Sequence, residues 1–164
     1  VDDKLYVRDR ISTMNKLGYS YEVYDISWKW KIDIETALKR SEVVYLEWWN
    51  TFFLLKCVRE TWFWEIVKKY VEKWLIYIWS SAWAYVATPT IISSTISDER
   101  FNRFSISDYS AMSLVDFTIL AHYNDKKQLL LEKKWNVYWS LKVEKLTDNE
   151  AIIIKDEKTY KITN

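Results

Sequence analysis

The strongest constraint on the fold comes from residues 73–90, which read KWLIYIWSSAWAYVATPT. Residues 75–78 form a short aliphatic and aromatic run that is typical of a strand buried on both faces, and residues 82–87 are compatible with a helix. Ser80 and Ser81 stand at the junction. A serine at a sharp strand-to-helix turn projects above the sheet, beside the free N–H groups of the helix N-terminus. The stretch therefore predicts a nucleophile elbow, although a serine pair at a helix start also fits an ordinary N-cap.

The residues that flank this turn are unusual. Glycine normally stands two residues before and two residues after the nucleophile of an elbow, because the chain is crowded there. Counting from Ser81, those positions hold Trp79 and Trp83. The whole chain has one glycine and eleven tryptophans, whereas an average usage of ~7% predicts about eleven glycines. Most of the tryptophans lie at segment ends or in loops, with Trp135 and Trp139 predicted in turns, which indicates a systematic replacement of glycine by tryptophan.

Helical and strand patterns alternate along the first half of the chain. In order, they are a helix that ends at Gly18, a strand over 21–26, a short helix capped by Asp33, a strand over 43–46, a helix capped by Asn50, a helix over 65–73 and the strand over 75–78. Such alternation with short loops predicts a parallel sheet covered by helices on both faces. Functional loops are then expected at the carboxyl ends of the strands.

The second half has a different pattern. Beyond Pro89 the chain is polar and irregular as far as Ser110, and a strand within SLVDFTILA then places His122 at its end. Three short strands follow, over 142–146, 151–155 and 158–162, and a tight turn at Asp156 and Glu157 joins the last two. No repeat or linker divides the chain, so the sequence predicts a single domain.

Composition excludes several function classes. The 24 basic and 23 acidic residues are nearly balanced, so neither nucleic acid nor an anionic membrane is an expected partner. With no apolar stretch long enough to span a bilayer and no signal-peptide pattern, a cytoplasmic location is expected. Cys57 is the only cysteine, which excludes an internal disulfide. One histidine and one cysteine cannot form a metal-ligand cluster, and there is no glycine-rich loop, so neither metal nor cofactor is expected.

Four stretches stand in a characteristic order: YLEWWNTFFLL, IYIWSSAWAYVATPT, LVDFTILAHY and LTDNEAIIIKDEKTYKI. They resemble the strand–GGNT–helix, the GxSAGA elbow, the strand ending in PHY and the C-terminal hairpin of the peptidase E (aspartyl dipeptidase) family of serine peptidases. The resemblance covers most of the chain, and its tryptophans fall on family glycines or on loops where glycine is common. It implies a three-layer αβα domain with a mostly parallel sheet, of the class I glutamine amidotransferase-like or flavodoxin-like type, plus a C-terminal β-hairpin.

The resemblance also bears on the domain boundaries. The first strand of the family has no counterpart before Val1, so we expect one peptidase-like domain over residues 1–164 that is incomplete at its N-terminus. A sheet that lacks a strand leaves a neighbour unpaired. Association, for example as a homodimer, or instability would follow.

The family's catalytic residues carry over onto three positions. The resemblance makes Ser81 the nucleophile, His122 the general base and Asp98 the acid that orients the imidazole. His122 is the only histidine, so any Ser/His mechanism must use it, although a lone histidine at a strand end also fits a polar surface residue. Asp108 and Asp116 remain alternatives for the acid.

Further positions are implied around these three. The oxyanion would be bound by backbone N–H groups at Ala82 and at the turn formed by Trp48 and Trp49. The residues implied to lie near the substrate are Asn50, Arg100 and Arg103. The two arginines could bind an acidic N-terminal residue, but they equally fit solvated loop arginines.

Two functions are compatible with these residues. The first is a serine peptidase of the dipeptidase type that hydrolyses short peptides, including those that begin with Asp, through a Ser-His-Asp triad. The alternative is a non-catalytic α/β domain, an altered, designed or degenerate copy of the scaffold with a disrupted elbow. Indole groups at Trp79 and Trp83 are expected to distort the elbow and to suppress hydrolysis.

Overall fold

A computed structural model describes residues 3–47, 50–96 and 102–164 of the chain. The α-helices are α1 (Asp3–Lys16), α2 (Lys31–Lys39), α3 (Thr51–Glu60), α4 (Phe63–Val71), α5 (Ala84–Ala87), α6 (Asp125–Lys133) and α7 (Trp135–Tyr138). The strands are β1 (Val43–Tyr45), β2 (Ile76–Ile78), β3 (Thr118–Leu120), β4 (Val143–Lys145), β5 (Glu150–Lys155) and β6 (Lys158–Thr163). Two 3₁₀ turns span Ser81–Trp83 and Ile92–Ile96. Within the described ranges, no helix is both long and apolar enough to cross a membrane.

The strands pair two by two. β1 lies parallel to β2, with Tyr45 opposite Ile78, and β3 lies parallel to β4, with Leu120 opposite Lys145. β5 and β6 form an antiparallel hairpin. The predicted α/β class with parallel strands is thus confirmed, although the hydrogen bonds of the described residues join these strands as small separate sheets.

Of the two predicted helix N-caps, the structure confirms one. Asn50 caps α3, because its side-chain oxygen accepts a hydrogen bond from the N–H of Phe53 at 3.0 Å. The prediction for Asp33 is wrong: α2 begins at Lys31 after Trp30, and Asp33 lies inside the first turn. A carboxylate there still interacts favourably with the positive end of the helix dipole.

The main hydrophobic core lies between α3, α4, α5 and β3. Among its fully buried side chains are Leu55, Val67, Val86 and Ile119. All four residues of the short helix α5 are buried. Removing apolar surface from water stabilises the fold by about 25 cal/mol per Å². This core therefore fixes α5, and with it the turn that immediately precedes α5.

Three predicted elements differ from the structure. Residues 21–26 do not form a strand: Tyr21 and Val23 are exposed, and no described strand pairs with them. The strand predicted over 75–78 is shorter, and only Tyr77 of β2 is buried, so one face of β2 is open rather than both being covered. Trp135 begins helix α7 instead of lying in a turn.

Candidate active site

Ser81 lies at a sharp change of direction between β2 and α5. It begins the 3₁₀ turn that precedes α5, and the N–H of Trp83 donates a hydrogen bond to the carbonyl of Ser80 at 3.1 Å. Its φ is +51°, in the left-handed region. A residue with a Cβ is disfavoured there by roughly 1–2 kcal/mol. The exposed side chain of Ser81 is therefore carried by a strained backbone at the start of this turn.

His122 follows the end of β3 and has φ of +53°. Two side chains hold this backbone. Asn124 donates a hydrogen bond to the carbonyl of His122 at 3.1 Å, and the ammonium of Lys127 donates to the carbonyl of Ala121 at 2.6 Å. Burial lowers the pKa of Lys127, and the nearby carboxylate of Asp148 partly opposes this shift. The ring of His122 is thus presented by a backbone segment that α6 fixes from one side.

A chain of hydrogen bonds joins a serine, a histidine and an aspartate. The Oγ of Ser81 lies 2.7 Å from Nε2 of His122, and Nδ1 of the same ring lies 2.5 Å from Oδ1 of Asp148. With the proton on Nδ1 directed at Asp148, Nε2 accepts the hydrogen bond of the serine hydroxyl. The side chains of His122 and Asp148 are 52% and 75% exposed, so the chain of hydrogen bonds is open to solvent.

Asp148 reaches the imidazole because β4 runs beside β3. Past the paired strands, the N–H of Leu146 donates to the carbonyl of Leu120 at 3.1 Å, and the N–H of Tyr123 donates to the carbonyl of Leu146 at 2.8 Å. His122 lies between these two contacts. The segment just beyond Leu146 is therefore directed towards the imidazole.

A second set of contacts shapes the loop around Asp148. The N–H of Thr147 donates to Oε2 of Glu150 at 2.8 Å, and Lys161 of β6 lies 2.8 Å from Oε1 of the same carboxylate. The hydrogen bond from Lys161 and, after it, that from the Thr147 backbone lower the pKa of Glu150 to about 2. Lys161 also donates to the carbonyl of Lys145 at 2.9 Å. One lysine of the hairpin thus joins the loop to the end of β4.

Among the described residues, the carboxylate beside His122 belongs to Asp148. Asp98 lies outside the described residues, and Asp148 is the carboxylate at Nδ1 of His122. Both alternatives have other partners. Asp108 accepts hydrogen bonds from Arg59 and from Ser110, and Asp116 pairs with Lys142 at 3.1 Å. In the sequence, Asp148 resembles an ordinary turn residue, and only the parallel pairing of β3 with β4 could have marked it.

The remaining predicted residues divide into four groups. The N–H of Ala82 belongs to the first turn of the segment that leads into α5, where N–H groups have no intrahelical acceptor. Asn50 is almost fully buried and caps α3, so its side-chain oxygen serves the helix. Arg103 lies exposed in a turn. The predicted residues that fall outside the described ranges are Trp48, Trp49 and Arg100.

The serine and histidine sides of the site are also connected through the core. The hydroxyl of Tyr85 in α5 accepts a hydrogen bond from the N–H of Ala121 at 3.3 Å, and Ser93 donates to the carbonyl of Ile119 in β3 at 2.7 Å. Burial raises the pKa of Tyr85 to about 12. The helix behind Ser81 and the strand that carries His122 are thereby held at a fixed separation.

Known proteins resemble this chain over most of its length. The model of peptidase family S51 matches residues 1–162. The chain belongs to peptidase family S51. Among its relatives, this family S51 chain is 28% identical over 155 residues to an uncharacterized peptidase, Lin0382, of Listeria innocua serovar 6a, covering 93% of this chain and 74% of the relative.

Two other matches come from Listeria monocytogenes EGD-e. The uncharacterized peptidase Lmo0363 is 27% identical over 155 residues, covering 93% of this chain and 76% of the relative. The crystal structure of a candidate peptidase E protein superposes with a TM-score of 0.80 at 27% identity, covering 97% of this chain and 78% of the other. This family S51 chain therefore shares its α/β architecture with a solved relative.

Proposed function

We propose that this family S51 chain is a serine peptidase of the dipeptidase type, with Ser81 as nucleophile, His122 as general base and Asp148 as the acid that orients the imidazole. The observation that carries the proposal is the continuous hydrogen-bond chain Ser81–His122–Asp148. A nucleophile, a base and an orienting group within hydrogen-bond reach are the signature of an activated serine. The proposal includes a three-layer αβα arrangement of the kind that the family resemblance implies.

The mechanism follows from the order of these groups. Nε2 of His122 takes the proton of the Ser81 hydroxyl while Oγ bonds to the scissile carbonyl carbon. The carbonyl oxygen then carries negative charge, and the N–H of Ala82 is placed to donate to it. His122 next gives its proton to the leaving amine as the C–N bond breaks. A water molecule then attacks the acyl-enzyme while His122 takes its proton. His122 returns this proton to Oγ of Ser81 as the ester bond breaks, and the carboxylic acid product is released.

The exposure of the site bears on its substrates. His122 and Asp148 are both more than half exposed, and Arg103 lies in an exposed turn. An open surface site gives few side-chain pockets, which favours short peptides. An Asp-initiated dipeptide is the substrate that the family resemblance implies. The assembled hydrogen bonds favour the peptidase, with glycine in place of the elbow tryptophans, over a non-catalytic copy of the scaffold.

The test uses the variant in which Trp48, Trp49, Trp79 and Trp83 are all changed to Gly, called here the glycine variant. Misplacing one oxyanion donor costs about a hundredfold or more in rate, so the chain with four indoles should hydrolyse an Asp-initiated dipeptide without measurable rate. The glycine variant should regain hydrolysis and react with a fluorophosphonate probe. Ser81→Ala in the same background is the control. A well-folded glycine variant that neither hydrolyses nor labels would contradict the proposal.

A further inference from the structure

The tryptophan side chains are distributed differently from the phenylalanines. Eight of the eleven tryptophans have described side chains, and five of these are at least half exposed, from 50% for Trp74 to 89% for Trp28. None of the described phenylalanines is exposed, and Phe52, Phe63 and Phe117 are almost fully buried. Tryptophan is normally highly buried. The exposed indoles therefore lack the role in the core that this side chain usually has.

Trp62 has the same backbone role as the single glycine of the chain. Gly18 lies just beyond the end of α1 with φ of +74°. Trp62 lies just beyond α3, immediately after its C-cap Thr61, with φ of +61°. This position after a helix is the one where glycine is strongly preferred, because a Cβ is strained in the left-handed region. At Trp62 the backbone thus has the conformation that glycine adopts at Gly18.

Trp28 occupies a second position of this kind. The N–H of Lys29 donates to the carbonyl of Ile26 at 3.3 Å and closes a four-residue turn in which Trp28 is third, with φ of +61°. A positive φ at the third position of a turn calls for glycine. Trp28 in a turn and Trp62 after a helix therefore share one backbone requirement.

A third observation comes from the elbow. Trp79 and Trp83 stand two residues before and two residues after Ser81, where the crowded chain normally requires glycine. Trp83 is buried in the main core, and Trp79 packs against the ring of Tyr77 with 5.5 Å between centroids. These two positions are selected by crowding rather than by φ, so they are independent of the two turns.

We infer that the functional protein carries glycine at positions 28, 62, 79 and 83, and that these positions are encoded by UGA codons which its cell decodes as glycine. UGA is decoded as tryptophan in some genetic codes and as glycine in others. If UGA is read as tryptophan where the cell reads it as glycine, this one difference replaces a whole set of glycines by tryptophan together. Unrelated mutations would instead have to reach the same kind of position again and again.

The deciding experiment identifies the residues directly. Peptides of the protein isolated from its own cell are sequenced by tandem mass spectrometry, and the gene is read at the four codons. We expect glycine masses at positions 28, 62, 79 and 83 and UGA at each codon. Tryptophan masses at these positions, or UGG codons, would overturn the inference. Neither readout depends on peptidase activity.

A second experiment tests the backbone argument on recombinant protein. Trp28→Gly and Trp62→Gly should each raise the thermal midpoint by at least ~2 °C, since relief of about 1 kcal/mol shifts the midpoint of a chain of this size by 2–4 °C. The matched controls are Trp28→Ala and Trp62→Ala, which remove the indole but keep a Cβ in the left-handed region. Equal gains for alanine and glycine would show that the backbone does not require glycine.

Discussion

Ser81 and Asp148 lie on opposite sides of the His122 ring, and different parts of the molecule hold them. Ser81 leads into α5, whose four residues are all buried in the main core. Asp148 precedes the β5–β6 hairpin, in which all of β6 and most of β5 are exposed. The serine side is therefore positioned by packing, whereas the acid side is positioned by a few hydrogen bonds and ion pairs. We expect the serine side to contribute more to the stability of the fold. The position of Asp148, on the acid side, should be more sensitive to small changes.

The largest expected effect on activity comes from a substitution on the serine side. In the glycine variant, Ser81→Ala should lower kcat/KM by about 10⁶-fold, as expected when a nucleophile is removed from a working triad. Labelling by the fluorophosphonate should disappear with it, while the far-UV circular dichroism stays the same. If hydrolysis survived this substitution, the nucleophile would have to be another residue.

The next largest effect separates the two candidate acids. Asp148→Asn in the glycine variant should lower kcat by roughly 10⁴-fold, because an amide no longer holds the imidazole in the required tautomer. Asp98→Asn is the matched comparison, and it should leave kcat within about threefold of the parent. The reverse ranking would return the role of the acid to Asp98, as the family resemblance implied.

A smaller effect should follow from loosening the hairpin. Glu150→Ala removes the acceptor of the Thr147 N–H and the partner of Lys161. We expect kcat/KM to fall about tenfold, less than the roughly hundredfold that a full 1 Å misplacement can cost. Glu157→Ala in the hairpin turn is the control and should have no effect. Equal losses in both variants would show that the contacts of Glu150 are not what positions Asp148.

The smallest effect concerns pH. Hydrogen bonds from Lys69 and Tyr70 lower the pKa of Glu35 to about 2, and those from Lys161 and Thr147 do the same for Glu150. A depressed carboxyl pKa stabilises the fold above the ordinary value of 4.5, and this contribution is lost as pH falls from there towards 2. Urea unfolding should therefore show a free energy of unfolding that declines over this interval.

The control for the pH dependence is a double substitution. In Glu35→Gln/Glu150→Gln, neither side chain titrates, so the decline between pH 4.5 and 2 should become shallower. Because the lysine of each ion pair is exposed to solvent, added salt should also flatten the decline in the parent. An unchanged slope in the double variant would assign the acid sensitivity to other carboxylates.

Local sequence patterns predicted the elements better than they predicted the partners of those elements. Asn50 as the cap of α3 and the tight turn at Asp156 and Glu157 follow from short-range chemistry, and both are present. The strand expected over 21–26 is absent because alternation alone does not supply a partner strand. β2 has one open face for a related reason, since burial depends on which elements are packed against it.

The site was predictable to the extent that single residues were distinctive. His122 is the only histidine, and Ser81 lies between a strand and a helix, so both stood out. Asp148 did not, because its position beside His122 depends on β4 lying parallel to β3. This pairing joins segments more than twenty residues apart, which local patterns do not encode. The family resemblance implied Asp98 for the same task.

Left-handed backbone at both Ser81 and His122 has a consequence for how this chain would evolve. Each residue has a Cβ in a backbone region that glycine adopts without strain, at a cost of roughly 1–3 kcal/mol per residue. Glycine at either position should therefore raise the melting temperature, whereas alanine should not. Without selection for activity, glycine would be favoured at both positions because it stabilises the fold. A serine and a histidine that persist there across descendants would therefore indicate continued catalytic use.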